Sequence, residues 1–145
     1  MSNQTRVIGT TDAALAKAES DLGYQFPPTY RAWLKQNNGK SIEDITIFPV
    51  FDKRDPRKTW DSIVRNYNSN WRSWLNNFGP EYDFSSLLPF GEFGTGDYVC
   101  FDFSQLESAE EPTVVIWSHE TGDTDVIASD FAKFVELAEA GELEY

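Results

Sequence analysis

The chain has 145 residues, 15% of them aromatic, with 24 Asp and Glu against 12 Lys and Arg and a net charge of −12. That length suits one domain with a proper core, and no run approaches the roughly 18–20 continuous apolar residues of a membrane-spanning helix. The single cysteine, Cys100, excludes an internal disulfide framework. The first residues, MSNQTRVIGTTDAALAKAES, lack a basic start followed by an apolar run, so no signal peptide and a cytoplasmic location are expected.

Ala14, Leu15, Ala18 and Leu22 recur at spacings of three and four, which predicts a helix over residues 12–22 with Gly23 as its stop. Pro27 and Pro28 suit the first turn of a second helix, where a missing N–H costs nothing. Tyr30, Trp33, Leu34 and Asn37 share its face, and Asn38-Gly39 ends it. Alternation around Ile45 and Ile47 predicts a strand over 42–50, weakened by Pro49. After the charged loop DKRDPRK, eight apolar or aromatic residues from Trp60 to Phe78 keep helical spacing, which predicts one long helix closed by Gly79-Pro80.

LLPFGEFGTGD then reads as a turn region ahead of the strand YVCFDF. The acidic loop SQLESAEEP leads to a second strand, TVVIWS; HETGDTD is a turn, and VIAS is a brief strand or the run-in to a helix. Ser129 suits the N-cap of a final helix, DFAKFVELAEAG, with Phe131, Phe134, Val135 and Ala138 on one face. The fold class expected is α+β, a single domain with an antiparallel sheet flanked by helices.

Charge is segregated along the chain. Residues 1–78 hold eleven Lys and Arg against eight acids, whereas residues 79–145 hold Lys133 alone against sixteen acids, a balance of −15. Such a half repels nucleic acid, whose binding needs cations to replace phosphate counterions, and attracts a basic protein. The cations Lys53, Arg54, Arg57, Lys58, Arg65 and Arg72 interleave with Trp60, Tyr67, Trp71 and Trp74, a mixture that can also stack on single-stranded nucleic acid. Helical spacing instead assigns those aromatics to the core.

Catalytic and ligand motifs are weak throughout. The glycines of residues 91–96 run G-x-x-G-x-G into a strand, with no P-loop Lys or Ser/Thr, and Glu92 and Asp97 beside them oppose a phosphate. They read as a tight turn with glycines at positive φ. His119, Glu120, Asp123 and Asp125 cluster without EF-hand or zinc spacing. Cys100, inside a strand and among acids, lacks the electropositive setting a thiolate needs. No enzyme, metal or cofactor is expected.

Two blocks resemble the SUKH superfamily of Smi/Knr-type domains. The first holds Glu19, Leu22, Gly23, Phe26, Pro27, Tyr30, Trp33, Leu34, Asn38 and Gly39, resembling E-x-x-L-G-x-x-L-P-x-x-Y-x-x-F-L followed by N-G-G. The second holds Leu88, Pro89, Phe90, Gly91, Gly94, Gly96, Asp97 and Asp102, then Pro112, Val114, Trp117, His119 and Glu120, with Ser129 and Phe131 opening the last helix. Phe26, Lys40, Phe93 and Ser118 depart from the usual pattern. The resemblance covers about residues 12–140 and implies an α+β fold. It also implies a bacterial immunity protein that binds and neutralises a cognate toxin, often a nuclease, or, as in fungal relatives, an interaction scaffold in cell-wall synthesis and signalling. With the charge pattern it makes a basic protein the expected partner, with no direct nucleic-acid contact. The contact acids expected are Glu92, Asp97, Asp102, Glu107, Glu110, Glu111, Glu120, Asp123 and Asp125.

Overall fold

In the computed structural model, which describes residues 9–104 and 111–143, both predicted N-terminal helices form: α1 is Asp12–Leu22 and α2 is Pro28–Asn37. Thr11 caps α1 through its hydroxyl, which accepts from the Ala14 N–H. Pro28 opens α2 at its first turn. Glu19 joins the two helices. One carboxylate oxygen accepts the Phe26 N–H at 2.7 Å and the other accepts from Arg31 at 3.2 Å.

Only Thr46–Ile47 (β1) survives of the strand expected over 42–50, beside an isolated Ile42–Ile45 bridge. Phe48 still donates to the Phe90 carbonyl, but Pro49 has no N–H to continue the ladder, and its carbonyl accepts from Ile63 instead. Asn38 replaces the missing pairing. Its side chain, 3% exposed, donates to the Val50 carbonyl at 2.9 Å and accepts the Val50 N–H at 2.8 Å. Asn38→Ala leaves both buried backbone groups unpaired and should cost about 2 kcal/mol in denaturant unfolding. Asn38→Asp should cost at least as much at neutral pH, because it buries a carboxylate whose second oxygen faces the Val50 carbonyl.

The long helix expected over 59–78 is broken up. A short α3 (Pro56–Thr59) precedes it, and Trp60 lies outside any helix because Ser62 caps α4 (Ile63–Asn66) through the Arg65 N–H. A π-helical turn, Tyr67–Trp71, then leads to α5 (Arg72–Leu75). Residues 87–92, expected as a turn, form a six-residue strand, β2 (Leu87–Glu92). Its strand breakers have places: Pro89 sits at a shift in register, and Gly91 lets β1 approach, since a Cβ there would lie 2.5 Å from the Thr46 carbonyl oxygen.

The remaining strands are β3 (Tyr98–Asp102), β4 (Thr113–Trp117) and β5 (Thr124–Ala128), before α6 (Phe131–Ala140). Asp130, not Ser129, caps α6: its carboxylate accepts the Lys133 N–H at 2.8 Å. The five strands form one antiparallel sheet in chain order, so the expected α+β class holds.

Both sheet faces are covered, which is why β3 buries Tyr98, Val99, Cys100 and Phe101 alike. On one face Phe101 stacks on Phe90 with ring centres 4.1 Å apart, and Tyr30 of α2 and Phe131 of α6 close over them. On the other, Trp71 of the π-turn meets Trp117 at 4.8 Å and Tyr98 at 5.4 Å. Among the described residues no helix is long and apolar enough to cross a membrane.

Candidate protein-binding surface

Antiparallel register decides which acids are neighbours. Thr46, Glu92, Tyr98, Trp117 and Thr124 pair in one row across all five strands, about 19 Å from edge to edge. Glu92, Asp97, Glu120 and Asp123 therefore gather at this end of the sheet, where the β2–β3 and β4–β5 turns lie side by side. Asp125 follows one row inward, opposite Ile116.

The two turns are stapled together. Asp97 accepts the His119 N–H at 3.1 Å and pairs with His119 Nδ1 at 2.6 Å, while the Trp74 ring packs against the imidazole at 5.0 Å. Gly96 makes this approach possible: its φ is +99°, and a Cβ there would sit 3.3 Å from the ring. Asp97 and His119 thus fix the position of this end of the sheet, with Asp97 facing His119 rather than open water.

The β4–β5 turn is held by short-range bonds that leave its carboxylates free. Ser118 N–H donates to the Asp123 carbonyl, Gly122 N–H to the Ser118 carbonyl, and the hydroxyls of Ser118 and Thr121 accept from Glu120 N–H and Asp123 N–H. Glu120, Asp123 and Asp125 are exposed, and among the described residues none of their carboxylates has a hydrogen-bond or ion-pair partner. Val126, 65% exposed, continues the outer edge of β5. Gly122 rests on the Phe78 ring, and Phe78 packs on Tyr82, which is 44% exposed, so an accessible aromatic borders the acidic turn.

Glu92 is half buried, and burial together with the charge of Asp61 raises its pKa. Its folded-state pKa lies above the unfolded value, so its ionisation opposes folding, increasingly as pH rises through that interval. Glu92→Gln should therefore raise the melting temperature at neutral pH and leave it unchanged in acid, where the carboxyl is protonated in both states. Thermal melts at the two pH values check this.

Asp102 and Glu111 belong to the opposite end, about 14 Å along the strands. Asp102 accepts the Ser104 N–H at 2.9 Å. Glu111 lies at the start of α2, accepting the Thr29 hydroxyl at 2.6 Å and the Thr29 N–H at 3.2 Å, where the helix dipole favours a negative charge. Glu107 and Glu110 lie outside the described residues. Sequence reasoning passed over Asp61, which belongs to the less acidic half of the chain yet sits close enough to perturb Glu92. It also passed over the exposed acids of α6 and its exit, Glu136, Glu139 and Glu142, which the helical spacing of the buried Phe131, Phe134 and Ala138 could have placed outward.

The Cys100 thiol is fully buried, and burial and nearby Asp102 push its pKa well up, away from the thiolate. Among the described residues no group of three or more His, Cys, Asp or Glu is placed to hold a metal ion. What the arrangement offers is a hydrogen-bonded turn that presents the exposed carboxylates of Glu120, Asp123 and Asp125. A family model described as SMI1 / KNR4 family (SUKH-1) matches residues 9–137. No curated protein matches the chain.

Proposed function

The chain belongs to the SMI1 / KNR4 family (SUKH-1), and from that membership we propose that it is a non-enzymatic immunity protein that binds and neutralises a cognate, basic toxin domain. The observation that supports this reading best is the exposed and unpartnered set Glu120, Asp123 and Asp125 on a turn clamped by the Asp97–His119 pair. A surface that stays fixed loses little freedom on binding, so its charge can act on the partner from the first encounter. A toxin domain that grips nucleic acid presents a basic cleft, and carboxylates on a protruding turn can occupy it in place of phosphates.

Charge mainly sets association rate and partner choice; tight binding needs buried anchors as well. Tyr82, accessible beside the turn, is the anchor we assign. Glu92 and Asp61 contribute further negative potential, and a cation from the partner would relieve their mutual repulsion. Asp102 and Glu111, at the far end of the sheet, contribute to the general field rather than to contacts.

The purified chain should form a stoichiometric complex with the toxin domain encoded next to it and suppress that domain's activity. Absence of both complex and protection would sink the immunity reading.

A further inference from the structure

A second surface has the opposite character. An apolar groove of about 310 Å³ lies between α1 and the start of α4, walled by Ala14, Ala18, Val50 and Val64 and rimmed by Phe51 and Trp60. Phe51 is 43% and Trp60 59% exposed, so two large aromatic side chains remain in water beside one depression. The guanidinium of Arg65 stacks over the Trp60 ring at 5.1 Å and holds it at the rim.

The segment that carries the rim residues Phe51 and Trp60 also has a distinct charge. Residues 50–65 carry five Lys and Arg against three Asp in a chain whose net charge is −12. Arg54 is taken up by Asp52 at 2.6 Å, and Lys17 by Asp21 at 3.1 Å. Lys53, Arg57 and Arg65 are exposed without a carboxylate partner among the described residues; Arg65 lines the groove, and Lys53 and Arg57 lie in the segment between its rim residues Phe51 and Trp60. Exposed Trp and Arg around an apolar pocket are the side chains that most often dominate protein interfaces.

We propose that this groove is a second docking site, which takes a protein segment presenting a large apolar side chain flanked by Asp or Glu. The apolar anchor fills the groove against Phe51 and Trp60, and the flanking acids meet Lys53, Arg57 and Arg65. Single-stranded nucleic acid fits less well, because the walls are mostly apolar and the chain as a whole repels a polyanion. The site is independent of the acidic turn, and its test leaves Glu120, Asp123 and Asp125 untouched.

A displayed library of random peptides, selected on the intact chain and counter-selected on the Trp60→Ala chain, reads the groove directly. The expected enrichment is Leu, Phe or Trp with Asp or Glu neighbours. Selected peptides should bind at least about tenfold more weakly to Trp60→Ala and should lose their preference for acidic flanks on Arg65→Glu. Melting curves verify that both variants are folded. No enrichment, enrichment of basic flanks, or equal binding to Trp60→Ala overturns the proposal. Tighter binding of a labelled oligothymidylate than of any selected peptide overturns it in favour of a nucleic-acid surface.

Discussion

Trp71→Ala is expected to cost about 3–5 kcal/mol of folding free energy, while Trp60→Ala, only eleven positions earlier, should change stability by less than about 0.5 kcal/mol. Trp71 is 1% exposed and its ring meets Trp117, Tyr98 and Phe84, so truncation opens a large cavity on one face of the sheet. Trp60 is mostly in water, and its ring contact is with Arg65. Since a whole domain is stable by only about 5–15 kcal/mol, Trp71→Ala should be marginally folded at best. Urea unfolding of the two variants checks the contrast. Equal losses would mean that Trp60 is packed inside, as simple helical periodicity suggests.

Reversing Glu120, Asp123 and Asp125 together to Lys should slow association with a basic toxin domain by about 10–100-fold at low salt. The melting temperature should be unchanged or slightly higher, because these carboxylates have no partners within the described fold. The slowing should shrink as salt approaches about 1 M, where the screening length falls to about 3 Å. Glu111 behaves differently: Glu111→Lys places a cation at the start of α2, removes the acceptor of Thr29 and should destabilise the chain. A stopped-flow series with each variant separates the two ends of the sheet. An unaffected rate for the triple reversal at low salt would remove the electrostatic part of the proposal.

The contrast between Trp60 and Trp71 shows where local pattern stops being informative. Helices α1, α2 and α6 were legible because their buried positions, Leu15-Ala18-Leu22 in α1 for example, follow one uninterrupted period. The stretch after Thr59 also has that period, but Ser62 restarts the helix after Trp60 and the π-turn at Tyr67–Trp71 inserts an extra residue, which shifts the phase. β2 was missed because Pro89 and Gly91 are poor strand residues in general. They fit here because a bulge and a close neighbour strand need them, and both are long-range facts.

The candidate surface was legible in kind but not in arrangement. Composition alone marks residues 79–145 as strongly acidic. Which acids are neighbours depends on register, and register is set by pairing between distant segments. That pairing joins Asp97 to His119, 22 positions away, and separates Glu120 and Asp123 from Asp102. Packing of α4 against β2, not strand pairing, brings Asp61 from the other half of the chain near Glu92. The motif residues Gly96, Asp97 and His119 act as one mechanical unit that holds a turn in place.

Hydrogen exchange of the chain, free and bound to the cognate toxin domain proposed for it, tests the central claim most directly. The account predicts new protection over residues 117–126 and 92–97, with residues 50–60 unchanged. Protection confined to residues 50–60, or to the opposite end of the sheet around Asp102 and Glu111, would contradict it.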